Sequence, residues 1–361
     1  MTKSSAIPLQ PDDVTPRWLT HVLSPVGPTV SVDTVTVTPV GTGQTGATYR
    51  VAASYSQGGD QLPSSFVVKL PSQDPEVRQR VALGYRSEHA FYTEVAATVA
   101  VPIPHCYHID IANDGADFVM LMDDLAPAVQ GDQIHGCSAT EATLAVEALA
   151  GLHGPRWCDP AWLAFSGTTM PRANAEIARG MGDVARFAAD TTLERLGDRI
   201  SAEDRATIDE SVASVSAWLG VETERYALLH GDYRLDNLLF DPDRTRVTVV
   251  DWQTLAVGLP ARDLSYFVAT SFAEAERGAV ERDLVEAYHR RLGDYGVVDY
   301  DFDACWDDYR IGMLQIPLLT MLGFAFSSAT ERGNDMVLAM LTRGCAAIRE
   351  LDTLGRIESR S

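Results

Sequence analysis

The chain has 361 residues, of which 46% are hydrophobic and 22% charged, an ordinary composition for a folded protein with one large domain or two lobes built on buried cores. Fifty acidic against 29 basic residues give a net charge of −21, which argues against nucleic-acid or basic membrane-surface binding, because those need cations to neutralise phosphates. The basic residues are 27 arginines and only two lysines, Lys3 in the polar N-terminal tail and Lys69 in the body of the chain.

Thr15 followed by Pro16, with Trp18, Leu19 and Leu23 behind, predicts a short opening helix with a polar cap and proline at its first position. The β-branched run at 31–40, the run ATYRVAA at 47–53 and FVVKL at 66–70 predict strands of an antiparallel sheet, with GTGQTG between the first and second. Residues 76–98 read as one helix, entered through PSQDP, with Val81, Tyr85, Glu88, Phe91 and Tyr92 at helical spacing. Further strands are expected near 105–111 and 117–122, on either side of the turn NDGAD. Beyond Asp124 the pattern becomes helical, at 139–153, 173–195, 201–219, 262–275, 279–292 and most of 303–351, with short β-type runs at 239–240 and 247–250. The fold class expected is α+β, with a small antiparallel-sheet lobe over 1–121, a link at 122–126 and a larger, mainly helical lobe over 127–361.

The five cysteines are widely spaced and include no C-x-x-C pair, so neither a disulfide framework nor a cysteine zinc site is indicated. The histidines show no ligand spacing, and no G-x-S-x-G elbow for serine-hydrolase chemistry is present. The N-terminus carries no secretory pattern, and the longest apolar stretch, 311–326 with Gln315 inside it, is shorter than the ~20 residues a bilayer span requires. A cytoplasmic protein with no membrane partner is expected.

Gly41, Gly43 and Gly46 form G-x-G-x-x-G, a string with two uses. In a dinucleotide-binding fold it opens a helix that holds a pyrophosphate. Between two strands, as ATYRVAA suggests here, it lays the backbone of Gly43, Gln44 and Thr45 over nucleotide phosphates; a plain hairpin is the third possibility. Lys69 favours the phosphate role, since a compact ammonium on a flexible stem suits α- and β-phosphate oxygens and an otherwise arginine-rich chain keeps lysine there. Glu88, mid-helix, is a candidate partner for it.

The densest segment is LLHGDYRLDNLLFDPDRTRVTVVDWQ, residues 228–253. Asp232 is placed to accept or orient a hydroxyl proton, and Asn237 and Asp251 offer the hard oxygens that Mg²⁺ prefers. Phosphoryl transfer needs such positioning and metal binding more than covalent chemistry. H-G-D-x-x-x-x-N followed by D-W resembles the signature of the aminoglycoside phosphotransferase and choline kinase superfamily. GDYRLDNLLF, VVDWQ and ARDLSYF are similar to a branch of bacterial phosphotransferases and to kinase domains fused to some acyl-CoA dehydrogenases.

The resemblance implies a bilobal protein-kinase-like fold and ATP- and Mg²⁺-dependent phosphorylation of a small-molecule hydroxyl. It makes Asp232 the catalytic aspartate, Asn237 and Asp251 the metal ligands, Lys69 the phosphate-binding lysine with Glu88 its partner, and the backbone around Met122 to Asp124 the adenine site. It also implies that Asp263 organises the catalytic region and that His230 is structural. A catalytically inactive nucleotide-binding module and, more remotely, a nicotinamide-dependent oxidoreductase are the alternatives. The acceptor is open between a cationic compound drawn to Asp299, Asp301, Asp303, Asp307 and Asp308 and an apolar hydroxylated one lined by 311–326.

Overall fold

The β-branched runs near the N-terminus do pair. In the computed structural model, which describes residues 7–24, 30–40, 46–170, 172–221, 224–327 and 330–360, a five-stranded antiparallel sheet runs in the order β1-β2-β3-β5-β4. Its strands are β1 (Ser31–Pro39), β2 (Gly46–Gln57), β3 (Ser65–Pro71), β4 (Cys106–Ala112) and β5 (Asp117–Asp123). The chain divides into two compact units, Met1–Ala97 with Ile103–Ala126 and Asp251–Gln253, and Thr98–Pro102 with Pro127–Val250 and Thr254–Ser361.

In the first unit the sheet has two dissimilar faces. Phe66, Val68 and Leu70 alternate along β3 and pack with Val51, Val119 and Leu121 against Trp18, Leu19, Val22 and Leu23 of α1 (Pro16–Leu23). Each of these buried side chains contributes roughly 1.5–3 kcal/mol. Thr15 caps α1 by accepting the Trp18 N–H. The side-chain period of two turns Lys69 to the other face, where its cross-strand partner Met120 clusters with Phe118 and with Tyr85 of α2 (Pro75–Ala90). Asp74 caps α2 through the N–H groups of Glu76 and Val77, with Pro75 at the first position.

The helix expected over 76–98 is not α-helical throughout. After Ala90 it widens into a π turn at Phe91–Val95 and then a 3-10 turn at Ala96–Thr98. Phe91 lies flat on Trp252, 3.6 Å between ring centroids, while the Thr93 hydroxyl bonds back to the His89 carbonyl at 2.7 Å. Both act against a regular continuation of the α ladder.

The second unit holds β7 (Ala227–Leu229) paired with β10 (Ala256–Gly258), and β6 (Val129–Gln130), β8 (Leu238–Phe240) and β9 (Val247–Val249) in a small sheet. Its helices are α3 (Ala139–His153), α4 (Ala175–Leu196), α5 (Ala202–Gly220), α6 (Ala261–Ser271), α7 (Glu274–Asp294), α8 (Phe302–Gly312), α9 (Gln315–Ala325), α10 (Glu331–Glu350) and α11 (Thr353–Glu358). Ser138, Asn174, Ser201, Asp301 and Thr330 cap α3, α4, α5, α8 and α10. The long helical stretch expected over 303–351 is therefore broken. Pro317 falls in the first turn of α9, where a missing N–H is no loss, and Thr330 restarts the chain as the cap of α10. The break between α6 and α7 falls at Phe272–Ala273, earlier than expected, because Phe272 is buried in extended backbone.

The acidic stretch of 299–308 does internal work. Asp308 is fully buried and takes a two-pronged bond from Arg225 at 2.6 and 2.8 Å plus the Tyr300 hydroxyl at 3.0 Å. Asp307 pairs with Arg356 and Arg360, and Asp301 caps α8. The apolar stretch of 311–326 is mostly core, with Ile316, Leu318, Met321 and Phe324 buried on α9. Among the described residues no helix is long and apolar enough to cross a membrane.

Replacing Arg225 by Met would leave the Asp308 carboxylate buried without its counter-charge, so urea unfolding should show a loss of about 3–5 kcal/mol; a loss below ~1 kcal/mol would contradict this account. In the β8–β9 turn, the N–H of Arg246, together with the N–H and hydroxyl of Thr245, holds the Asp241 carboxyl down from 3.8 to about 2. A lowered folded pKa stabilises above the unfolded value and ceases to do so as pH falls through the folded one. Asp241→Asn should therefore melt below wild type near neutrality, with the gap narrowing as pH drops from about 4 toward about 2.

Candidate active site

Two clusters carry the chemically interesting side chains, one in each unit. The first is built around Lys69. Its ammonium lies 2.8 and 3.0 Å from the two Glu88 oxygens and 3.0 Å from Asp251 Oδ1. Lys69 and Glu88 are buried, whereas the Asp251 side chain is 39% exposed. Burial alone would push the lysine pKa down, but Asp251 and Glu88 outweigh it and hold the ammonium above its ordinary value. Asp251 adopts a left-handed backbone, φ +68°, which aspartate tolerates better than most residues. After it, Trp252 stacks on Phe91 and accepts the Ser87 hydroxyl on its carbonyl at 3.2 Å, and the Gln253 amide donates to Glu88 Oε2 at 3.1 Å.

Of the glycine loop, Gly41, Gly43, Gln44 and Thr45 lie outside the described residues. Its exit is decisive, because Gly46 begins the strand β2 where a dinucleotide-binding fold would begin a helix. Met122 sits on β5 opposite Val67 and Cys106. The Asp124 carboxylate is engaged by Arg50 at 2.7 and 3.2 Å, by Ser65 at 2.5 Å and by the Ala126 N–H at 3.2 Å. Although burial works the other way, these donors hold it below the usual carboxylate range.

The second cluster hangs on a loop leaving β7. Gly231 has φ +83°, and a Cβ there would stand 1.9 Å from the Thr254 carbonyl oxygen, so only glycine fits. Asp263, fully buried on α6, accepts the N–H groups of His230 at 2.7 Å and Gly231 at 3.1 Å. The His230 ring reaches the Val250 carbonyl from Nε2 at 3.1 Å and accepts the Asp232 N–H on Nδ1 at 3.3 Å, which assigns the Nε2–H tautomer.

Asp232 is thereby presented with both carboxylate oxygens engaged. Oδ1 accepts from the Tyr266 hydroxyl at 3.1 Å and Arg234 Nε at 3.0 Å; Oδ2 accepts from Arg234 Nε at 2.9 Å and the Asn237 amide at 3.0 Å. Asn237 also donates to the Asp232 carbonyl at 2.8 Å, and its own carbonyl accepts the N–H of Val250, the residue before Asp251. Burial and then the Asp232 charge drive the Tyr266 phenol well above its ordinary pKa. Burial opposes the Arg234 charge, yet Asp232, Tyr266 and Asp236 keep that guanidinium firmly protonated. Gln133 fixes the loop from beneath, accepting the Leu235 N–H at 2.8 Å and donating to the Thr270 carbonyl at 2.9 Å.

The structure brings Lys69, Glu88 and Asp251 together, and likewise Asp232 and Asn237. Sequence reasoning gave no role to Arg234, Tyr266, Gln133 or the Gln253 amide. Tyr266 had a usable signal, since it lies on α6 three residues after Asp263 and so shares its face. Gln133 had none, its partners being more than a hundred residues away in the chain.

Residues 36–300 match the phosphotransferase enzyme family. Acyl-CoA dehydrogenase family member 11 of Gallus gallus is 28% identical over 267 residues, which is 71% of this chain but only 30% of that protein. Acyl-CoA dehydrogenase family member 10 of Mus musculus is 31% identical over 136 residues, 32% of this chain and 13% of that protein. Among solved structures, a thermostable aminoglycoside phosphotransferase mutant in ternary complex with ADP and hygromycin B superposes with a TM-score of 0.52 at 15% identity, covering 92% of this chain and 98% of that one. An ethanolamine kinase of Plasmodium vivax gives 0.50 at 11%, covering 86% and 81%. These likenesses establish the fold as α+β, bilobal and protein-kinase-like. Because the family match begins within β1, passes through the His230–Asn237 loop and ends just before α8, this chain belongs to the phosphotransferase enzyme family.

Proposed function

We propose that this chain transfers the γ-phosphate of ATP to a hydroxyl group of a small molecule, with Mg²⁺. The observation that carries the reading is Asp232, held by Arg234, Tyr266 and Asn237 on a loop that Asp263 pins by its backbone. A carboxylate so fixed accepts the acceptor's hydroxyl proton and aims its oxygen at phosphorus for in-line attack. The solved relatives include an enzyme bound to ADP and hygromycin B and an ethanolamine kinase, which supports a nucleotide donor and a hydroxylated acceptor. The strand β2 and the family match leave the oxidoreductase alternative without support.

Lys69 supplies the point charge for the α- and β-phosphate oxygens, steadied by Glu88. The backbone of Gly43, Gln44 and Thr45 covers the phosphates, and that of Met122 to Asp124 receives the adenine. In the same proposal 1–121 is the nucleotide-binding lobe, 122–126 the hinge and 127–361 the catalytic and acceptor-binding lobe, working in the cytoplasm without a membrane or nucleic-acid partner.

In this proposal Asn237 and Asp251 would hold a magnesium ion, each being of the hard-oxygen type it prefers. The amide nitrogen of Asn237 is committed to Asp232, which leaves its amide oxygen to act as a hard donor, and Asp251 has a part-exposed carboxylate. Among the described residues no cluster of three or more His, Cys, Asp or Glu forms an all-protein cage. One carboxylate and one amide oxygen, completed by waters and substrate phosphates, is the kind of set Mg²⁺ uses. When bound, the ion neutralises charge on the phosphates.

Calorimetry with ATP and Mg²⁺, and ATP consumption against panels of cationic and apolar hydroxylated compounds, test the reading. Asp232→Asn should lower turnover by about 10²–10⁴-fold while nucleotide affinity stays within about twofold. Turnover at the wild-type rate in that variant would remove Asp232 from its role. Binding of NADH with no binding of ATP would end the kinase proposal, and ATP binding with no turnover on any acceptor would favour an inactive nucleotide-binding module.

A further inference from the structure

We infer that Gln253 is a positioning residue that fixes Glu88 against Lys69, and that Gly84 is the helix position that admits it; the inference rests on the phosphotransferase reading above. Gly84, Ser87, Glu88 and Phe91 are spaced i, i+3, i+4 and i+7, one stripe along α2 and its continuation. Every one of them meets the segment 251–253. A Cβ at Gly84 would stand 3.2 Å from Gln253 Cβ and 3.3 Å from the Gln253 carbonyl oxygen. The Ser87 hydroxyl donates to the Trp252 carbonyl, Glu88 accepts the Gln253 amide, and Phe91 stacks on Trp252.

The chemistry of each position is set by the buried charges. Among the described residues, Glu88 Oε1 takes a bond from Lys69 at 3.0 Å, whereas Oε2 takes Lys69 at 2.8 Å and Gln253 Nε2 at 3.1 Å. With the lysine as its only donor, this carboxylate would be free to turn about its terminal torsion. The amide donor sets the plane of the carboxylate. A cation at position 253 would compete with Lys69 for Glu88, and a carboxylate would repel it, so a neutral donor of glutamine's length suits the place. Were Glu88 to turn away, Asp251, 3.0 Å from the ammonium, would hold Lys69 alone and draw it from the phosphates. Glycine inside a helix is unfavourable relative to alanine, and the close approach of Gln253 explains its presence at 84.

Gln253→Met preserves length and volume and removes the donor. In titration calorimetry with ADP, with and without Mg²⁺, it should bind about 10-fold more weakly than wild type in both conditions, the size expected for one hydrogen bond to a charged group. In a Glu88→Gln background, where no carboxylate remains to be oriented, the same change should cost less than about twofold. An equal loss in both backgrounds would mean a merely structural role and overturn the inference, as would wild-type affinity in Gln253→Met. A second variant works even if the first folds poorly. Gly84→Ala should weaken ADP binding in the wild-type chain, by displacing Gln253, but not in the Glu88→Gln background, where no carboxylate is left for a displaced Gln253 to misorient; equal effects in both would overturn the assignment of Gly84. A wild-type chain that binds neither ADP nor ATP would overturn the phosphotransferase reading itself, a result distinct from any of these.

Discussion

An ammonium group buried among protein atoms is unfavourable unless it is compensated, and in the first unit that requirement organises nearly everything around Lys69. The lysine is carried on the sheet face opposite α1, facing α2, and its charge is met by Glu88 from α2 and Asp251 from a segment 182 residues away in the chain. One cation between two carboxylates explains why residues 251–253 belong compactly with the sheet although the chain on either side of them does not. It also explains why those residues are fastened to α2 by stacking and hydrogen bonds, since a movable counter-charge would leave a buried ion short of a partner.

The second unit solves a related problem by different means. Asp232 is held through the backbone that carries it. Asp263 satisfies the N–H groups of His230 and Gly231, the glycine takes a backbone shape closed to other residues, and His230 links the loop to Val250. A buried carboxylate bonded to two backbone amides is strongly anchored, and α6, buried on nearly every side, gives Asp263 a rigid base. Tyr266 on the same helix and Arg234 on the loop then set the direction of the Asp232 carboxylate. Asp232 is thus placed by a buried helix acting through backbone bonds, and two side chains orient its carboxylate.

Much of this was readable one segment at a time. Strands β1 to β5 are legible in β-branched runs and turn signals, α1 in its polar cap, and α2 and α3 in helical patterning, while the spacing of Asp232, Asn237 and Asp251 is what suggests phosphoryl transfer. The π turn after Ala90 and the end of α6 at Ser271 are set by what the chain meets in space, Trp252 under Phe91 and the core around Phe272, whereas the breaks within 303–351 carry local marks in Pro317 and Thr330. Strands β6 and β10 are too short to show a period. The acidic residues around 299–308 read as a charged surface, and the fold instead spends Asp308 and Asp307 on arginines from elsewhere in the sequence.

By itself the sequence determined the residue types available for chemistry, their spacing within each local segment and the face each would take on its strand or helix, because those depend on short-range backbone geometry and solvation. It singled out Lys69 by composition alone. Only the tertiary structure decided the partners. It realised the Glu88 partner that helix position had already offered Lys69, and it added Asp251 on Lys69, Gln253 on Glu88 and Gln133 beneath the loop, choices made across many residues of chain. Packing and the compensation of buried charge select such pairs, and neither leaves a local mark in the sequence.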